Sequence, residues 1–404
     1  DTDADTDVSP WSYVLFAPND ATTTWLIDES GEAVHRWTSD RRPGQSAYLL
    51  DDGRLMRTGS VQNNVFRSGG AGGSVQLIDW DGNVEWTYTW SSTEHLQHHD
   101  AVPLPSGNVI LISWELLTQA ELVALGRDSS LVAATGGWME HLLEVDPDTD
   151  QIVWEWHVED HVVQDRSATA ANYVSAVSGA PGRLDIDYDA RASQADWLHF
   201  NGLDYNEELD QIVISVHNLD EIWIIDHGTT TAQAAGEAGD LLYRWGNPEV
   251  WGQAAADATL RLRGQHNAQW IDPGLPGEGN LLIFDNGAAG ARPYSRIVEI
   301  EPPLQGDGSY ALGGSVYGPS TLTWEYVAPN PTDFFSDHIG GVQRQPEGTT
   351  LICEGTTGRF FGVDDAGAED WSFDYGGQSF RAERYPADHP GLVGRDLTPL
   401  GVFP

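Results

Sequence analysis

The sequence predicts an all-β fold, a six-bladed β-propeller, because two kinds of hairpin repeat along most of its 404 residues. The first kind has an apolar strand, a turn containing Gly and a second apolar strand, as at 47–56 and 101–112. The second kind has an apolar strand, a polar turn and a strand that ends in tryptophan, as at 75–86 and 141–156. Gly, Asn and Asp occupy the turns, where hairpins need positive φ.

Six outer hairpins and five complete inner hairpins can be counted, and the ring closes if the sixth blade is shared by the two ends of the chain. The C-terminal segment 379–385 would supply the inner strand of that blade, and segment 11–16 the strand beside it. Closure of this kind removes exposed sheet edges. We therefore predict one domain over 11–404, and a ring of five or seven blades is the alternative. Two long insertions, 117–138 and 157–197, are expected to form a lid on one face.

The charge of the chain excludes some classes of partner. The net charge is −42, with 62 acidic and 20 basic residues, and every basic residue is arginine. Nucleic acids and anionic membrane surfaces attract basic patches, so neither is an expected partner. An acidic surface without lysine is typical of a salt-rich or marine habitat, although genome composition alone also produces it. The single cysteine, Cys353, excludes an intramolecular disulfide and a CxxC motif.

The N-terminal residues 1–10 are polar and repetitive, beginning with Asp at every second position. Such a stretch resembles the tether that follows a removed export or lipoprotein signal. No apolar segment reaches the roughly 18–20 residues that span a bilayer. We therefore expect an exported protein, in the periplasm, outside the cell or tethered as a lipoprotein, without a membrane span.

Histidine recurs where the first strand of a blade begins. That strand lines the central channel of a propeller, so the residues before it converge on a common funnel, and a ring of histidines there predicts a binding or catalytic site. Round the ring, these residues are Ser46, His99, His199, His266, His338 and Ser379 or Arg381. The ends of the second strands add Arg57, Glu115, His217 with Asn218, Asp285 with Asn286, and Glu354, while Asn201 follows His199.

Four motifs, in this order, resemble the arylsulfotransferase (aryl-sulfate sulfotransferase) propellers. They lie at 97–108, 196–205, 265–287 and 341–359, and the likeness covers about residues 20–390. The resemblance implies an exported six-bladed propeller that moves a sulfuryl group from an aryl sulfate to a phenol, without a nucleotide sulfate donor. A small aromatic molecule would be the substrate, and no cofactor would be required.

The resemblance also implies roles for individual residues. His266 would carry the sulfuryl group covalently, and His99 and His199 would assist, with Asn201 beside the second. The family's funnel arginine falls on His217, and a histidine holds sulfate oxygens as a cation only when it is protonated. The remaining candidates for substrate binding, some of which would replace the lost arginine, are His338, Arg57, Arg381 and Glu115.

Two other functions stay open from the sequence. Four imidazoles at repeated positions suit Cu, Fe, Zn or Ni, so His99, His199, His266 and His338 would be ligands in a metal-dependent redox enzyme, lyase or hydrolase. A non-catalytic binding propeller is the second alternative, but we interpret most tryptophans as packing between blades. Acidic loops at 146–150 and 185–189 leave a structural calcium ion open.

Overall fold

The computed structural model describes residues 13–188, 195–254 and 259–403. It contains six antiparallel blades, one of five strands and five of four strands, which confirms the predicted six-bladed propeller. The helices of the described residues are short, the α-helices being Gln119–Ala124 and Thr231–Ala234. None of these helices has the length and apolar character that crossing a membrane requires.

The blades are numbered here along the chain, with strands given from the central channel outward. Blade 1 consists of Ser379–Tyr385, Tyr13–Pro18, Thr23–Asp28, Glu32–Thr38 and Gly401–Val402, and blade 2 of Pro43–Leu49, Leu55–Ser60, Gly73–Ile78 and Val84–Thr89. Blade 3 consists of His95–Pro103, Val109–Leu117, Gly137–Asp146 and Gln151–His157, and blade 4 of Phe200–Asn206, Gln211–Val216, Glu221–Asp226 and Tyr243–Trp245. Blade 5 consists of His266–Trp270, Leu281–Asp285, Arg296–Ile300 and Trp324–Tyr326, and blade 6 of Gly341–Arg344, Thr350–Glu354, Arg359–Val363 and Glu369–Asp374.

Short elements lie between these strands. Two small sheets pair Val162–Val163 with Leu184–Asp185 and Leu312–Gly313 with Val316–Tyr317. The 3₁₀ turns are Ser129–Leu131, Val158–His161, Val177–Gly179, His217–Leu219, Glu237–Gly239, Pro248–Trp251 and Pro331–Asp333.

The two ends of the chain close the ring in blade 1, as predicted. Tyr13–Pro18 pairs antiparallel with the inner strand, with Tyr13 opposite Tyr385. The first two residues of the predicted segment 11–16 lie outside the described residues. A fifth strand, Gly401–Val402, pairs with Glu32–Thr38 at the outer edge, which the sequence pattern did not predict.

Six tryptophans connect successive blades through their indole N–H groups. Each lies on the outermost of the four repeated strands and donates to an oxygen of the next blade, as Trp37 does to the Asp79 carbonyl at 3.1 Å. The interpretation of these tryptophans as packing residues agrees with this ring of contacts. The other five pairs are Trp86 with Asp150, Trp154 with Thr229, Trp245 with Pro319, Trp324 with Asp365 and Trp371 with Glu29.

The two insertions pack against each other at the edge where the inner strands begin. Their described parts, residues 118–136, 158–188 and 195–198, are called the lid below. The Asp128 backbone N–H donates to the Asp187 carboxylate at 2.6 Å, and the Trp138 N–H donates to the Ala195 carbonyl at 2.7 Å. The blade strands take in Leu117, Trp138 and His157, so the lid is slightly shorter than predicted.

The Phe16 side chain packs the N-terminal strand against blade 6. Its side chain is 1% exposed, and its ring centroid lies 5.0 Å from those of Phe360 and Tyr375 and 5.5 Å from that of Phe403. We expect Phe16→Ala to lower the free energy of unfolding by about 3–5 kcal/mol, since the change leaves a cavity at the closure. Urea denaturation followed by tryptophan fluorescence measures this difference.

The control is Val393→Ala, because Val393 is 64% exposed. We expect it to change the free energy of unfolding by no more than about 0.5 kcal/mol. A loss below about 1 kcal/mol for Phe16→Ala would contradict the role of this ring in closing the propeller.

Candidate active site

Four of the predicted histidines come together at the funnel end of the channel. His99, His199, His217 and His266 follow one another in a row, with ring centroids 4.6, 5.2 and 5.4 Å apart. His99 belongs to blade 3, His199 and His217 to the two ends of the first hairpin of blade 4, and His266 to blade 5. The row therefore joins three neighbouring blades.

A repeated backbone irregularity positions these rings. At the start of the inner strands of blades 3 to 6, one non-glycine residue has left-handed φ: His99 at 50°, His199 at 57°, Asn267 at 44° and Ile339 at 50°. The strand register shifts at this point in blades 3, 4 and 5. Left-handed φ is unfavourable for a β-branched residue such as isoleucine, so tertiary contacts must hold this conformation.

The predicted equivalence of four histidine positions is therefore wrong by one residue. His99 and His199 are the left-handed residues of their blades, whereas His266 and His338 precede theirs. His338 does not join the row. Its side chain is 55% exposed, and its Nδ1 lies 2.6 Å from a carboxylate oxygen of Asp337.

Asn286 fixes the tautomer of His266. Its amide nitrogen donates to the carbonyl oxygens of Ser336 and Ile339, both at 2.8 Å. Its Oδ1 must therefore accept the hydrogen bond from His266 Nδ1, also at 2.8 Å. Because Nδ1 carries the proton, the Nε2 of neutral His266 presents a lone pair.

His266 is held in its neutral form by its surroundings. Burial, and then the nearby His217, lower its pKa well below the usual range for histidine. The Ile339 backbone N–H donates to Nε2 at 3.3 Å, a contact that only an unprotonated nitrogen accepts. A buried neutral imidazole can act as a nucleophile once its Nε2 lone pair is released from this contact.

His99 is the end of a buried relay. Its Nδ1 lies 2.8 Å from Nδ1 of His98, and His98 Nε2 lies 2.9 Å from Oε2 of Glu140. Burial lowers the pKa of both histidines and raises the pKa of Glu140 well above its usual value. The other Glu140 oxygen accepts the Phe200 N–H at 2.9 Å. A proton can therefore move through the three groups while both histidines stay neutral.

His199 and His217 are held by polar partners at the edge of the lid. His199 Nδ1 lies 2.6 Å from Oδ2 of Asp196, which also accepts the Ser68 hydroxyl. Burial raises the pKa of Asp196, but these hydrogen bonds and the His199 charge bring it below its usual value. His217 Nδ1 lies 2.8 Å from Oδ1 of Asn218.

Glycine allows the loop of blade 2 to cover His99. A Cβ atom at Gly70, where φ is +78°, would lie 2.0 Å from the imidazole ring. The Gly70 carbonyl accepts the His99 N–H at 2.8 Å. Any side chain at residue 70 would displace this ring.

Phe380 forms the floor of the funnel. Its ring centroid lies 6.1 Å from that of His99 and 6.3 Å from that of His266. On the channel side of this ring, Arg381 donates to Asp100 at 2.6 Å and to the Tyr48 hydroxyl at 2.8 Å. The Arg381 guanidinium is thus bound to two residues of the channel and does not belong to the histidine row.

Two other predicted substrate ligands are also engaged elsewhere. Arg57 is buried and donates to the carbonyls of Thr22 and Arg41, and burial lowers its pKa to about 10. Asn201 is fully buried and donates to the Gln265 carbonyl at 2.7 Å.

Glu115 faces away from the histidine row. The neighbouring Trp114 stacks on His98 at 3.8 Å, and successive residues of a strand point to opposite faces. The Glu115 carboxylate lies 2.8 Å from Nδ1 of His157, on the other face of blade 3. A substrate held by the four imidazoles is therefore out of reach of this carboxylate.

Two acidic residues that pair with histidines of the site were not predicted from the sequence. Asp196 lies three residues before His199, and this short spacing could have indicated that the two side chains pair. Glu140 lies 42 residues from His98, in the middle of an apolar strand, and no local pattern marks it. His98, to which the sequence analysis gave no role, connects His99 to Glu140.

Metal-ligand geometry occurs elsewhere in the chain. Among the described residues, one group of three or more His, Cys, Asp and Glu side chains has its ligand atoms within 4.8 Å of one another, and it consists of Glu115, His141 and His157. The histidine row does not meet this criterion, because its rings form a chain and not a closed set.

The sequence and the fold have known counterparts. A model of the arylsulfotransferase (ASST) family matches residues 12–383, whereas no curated protein matches significantly. A protein of unknown function from Bacteroides caccae has a similar structure, with a TM-score of 0.52 and 10% identity over 93% of this chain and 99% of that chain.

Two further structures are more distant. A putative 6-phosphogluconolactonase from Bacteroides fragilis gives a TM-score of 0.45 at 10% identity, over 94% of this chain and 99% of its own. Virginiamycin B lyase from Staphylococcus aureus gives 0.43 at 10% identity, over 92% of this chain and 85% of its own. Identities this low show a likeness of fold alone.

The family match rests on sequence and covers the row of anchored histidines as well as the blades. The protein belongs to the arylsulfotransferase family.

Proposed function

We propose that the protein transfers a sulfuryl group from an aryl sulfate to a phenol through His266. The observation that carries this proposal is the neutral, buried His266 ring, whose Nδ1–H is held by Asn286 while Nε2 carries the lone pair. Family membership supports the same reaction. The proposed chemistry uses neither a cofactor nor a nucleotide sulfate donor.

The first step is an in-line displacement at sulfur. The Nε2 lone pair of His266 forms an N–S bond, and the S–O bond to the aryl group breaks with its electrons on the phenolate oxygen. The sulfated imidazole becomes cationic and keeps its Nδ1 proton. Asn286 Oδ1 at 2.8 Å and the Gly264 carbonyl at 3.2 Å stabilise that charge.

The leaving phenolate takes a proton from His99. When Glu140 is protonated, the relay leaves a proton on His99 Nε2, where it can be donated. Loss of that proton moves the other two toward His99, and Glu140 ends as the carboxylate. The relay thus supplies the proton of a general acid while the two histidines stay neutral.

His199 and His217 stabilise the sulfuryl oxygens. The Asp196 carboxylate, 2.6 Å from His199 Nδ1, stabilises a protonated His199 ring, which then offers an N–H to an anion. His217 lies between the rings of His199 and His266, at 5.2 and 5.4 Å. It occupies the place of the family arginine implied by the sequence motifs.

The second half-reaction reverses the first. An acceptor phenol gives its proton to His99 Nε2, and its oxygen attacks sulfur. The N–S bond breaks, and its electrons restore the lone pair on His266 Nε2. Phe380 beneath the row provides an apolar surface for either aromatic ring. In keeping with the family resemblance, we also propose that the protein is exported.

His266→Ala is expected to abolish transfer, with a fall of about a thousandfold or more, because the nucleophile is lost. The measurement mixes protein with 4-nitrophenyl sulfate in the absence of an acceptor and follows nitrophenolate. The wild-type protein should release a burst of about one equivalent, and the variant none.

His338→Ala is the matched comparison, since this histidine is 55% exposed and pairs with Asp337. We expect it to retain the burst. A full burst from His266→Ala would exclude this residue as the acceptor of the sulfuryl group.

Glu140→Gln is expected to break the relay while preserving its shape. The amide nitrogen would donate a hydrogen bond to His98 Nε2 but would not release its proton, so the proton that His99 gives to the leaving group would not be replaced through the relay. Because an acid matters more for a poor leaving group, the rate with phenyl sulfate should fall about 100-fold, and the rate with 4-nitrophenyl sulfate much less. Equal losses with both donors would contradict an acid role.

The pH dependence of the burst tests the state of His266. A lowered pKa keeps Nε2 unprotonated as the pH falls through the ordinary histidine value of about 6.5. We therefore expect a constant burst rate from pH 8 to about 6 and a decline only below that. Circular dichroism at each pH controls for unfolding, and half-loss at pH 6.5 or above in folded protein would contradict the neutral nucleophile.

A further inference from the structure

A second group of histidines lies on the outer strands of blade 3, away from the funnel. Glu115, His141 and His157 come from its second, third and fourth strands and share one face of the sheet. His141 and His157 are directly opposite each other in the strand pairing, and their rings stack at 3.9 Å. Neither the sequence prediction nor the proposed reaction gives His141 or His157 a role.

The spacing of the three side chains suits a small cation. Their ligand atoms all lie within 4.8 Å of one another. His141 Nδ1 is 3.5 Å from Glu115 Oε1, and His157 Nδ1 is 2.8 Å from Glu115 Oε2. Two ligands of a tetrahedral zinc ion, with bonds of about 2.0–2.1 Å, lie about 3.4 Å apart. The first separation is close to that of two atoms sharing one ion. The second is a hydrogen-bond distance, so the stacked His157 ring has to turn from Glu115 Oε2 before it shares the ion.

His141 provides an independent indication of a ligand. Its side chain is 1% exposed, and neither of its ring nitrogens has a hydrogen-bond partner among the described residues. Nitrogens buried without a partner lose the hydrogen bonds they would make with water. The nearest carboxylate oxygens, from Glu115 and Glu155, both stand 3.5 Å away.

We propose that Glu115, His141 and His157 bind one divalent transition-metal ion, with zinc as the expected occupant. Two imidazoles and one carboxylate form a ligand set that zinc accepts, and a water molecule would complete the tetrahedron. The net charge of −42 raises the local concentration of cations at such a site.

The position of this site links it to the lid. Glu115 lies two residues before the end of its strand at Leu117, where the first lid segment begins. His157 is the last residue of its strand, and the second lid segment follows it directly. A bound ion therefore joins the strands from which both segments leave, and it stabilises the base of the lid.

The experiment titrates the full chain, freed of metal by a chelator, with zinc alone. We expect one equivalent to bind, with the affinity lowered at least about tenfold in Glu115→Gln and in His157→Gln, since even groups behind a ligand have effects of this size. His199→Gln, in the funnel, is the matched control and should bind zinc as the wild type does. Unchanged binding in both blade 3 variants, or loss of the ion in His199→Gln, would overturn the proposal.

A second measurement stays decisive if a variant does not fold. Cobalt(II) added to the metal-free wild type should give the visible absorption of a tetrahedral site, and zinc should displace it. Zinc should also slow proteolytic cleavage within the lid. No visible band and no protection of the lid in the wild type would overturn the proposal without any variant.

Discussion

The candidate site depends on one constraint, that each imidazole of the row is held by its Nδ1 atom. The four partners differ: His98 for His99, Asp196 for His199, Asn218 for His217 and Asn286 for His266. Nδ1 of each ring is thus taken up by its anchor, while Nε2 of His266 also accepts the Ile339 N–H at 3.3 Å. An amide oxygen at Nδ1 fixes the position of the ring proton, whereas a carboxylate at Nδ1 also favours the cationic ring.

The anchors bear on how an acidic protein would receive the anionic donor of the proposed reaction. The guanidinium groups of Arg57 and Arg381 are engaged by backbone carbonyls and by Asp100 and Tyr48. Protons on the imidazoles can supply positive charge in the funnel, and the Asp196 carboxylate would stabilise such a proton on His199. Charge supplied in this way depends on protonation, unlike the permanent charge of a guanidinium.

The blades could be predicted because their hairpins repeat, and closure by 379–385 followed from counting them. The histidines of the row were identified from the same repeat, but their geometry was not. The single left-handed residue at His99, His199, Asn267 and Ile339 puts His266 and His338 one position earlier than the other two histidines. Of these two, His266 joins the row and His338 is exposed. Glu140 could not be predicted, because a buried carboxylate on a distant strand leaves no periodic signal. Glu115 was assigned to the wrong face of blade 3.

The side chains beneath Phe380 affect how a small molecule can reach the histidine row. Arg381 crosses the channel from blade 1 to Asp100 of blade 3, and a Cβ at Gly202 of blade 4 would lie 2.6 Å from its guanidinium. These side chains occupy the channel beneath the row, which leaves the lid side as the approach to the imidazoles. In the proposed two-stage transfer, the departing aromatic molecule would leave by the approach that the next one uses. The two molecules would then compete for that approach, and the spent donor would inhibit the second stage.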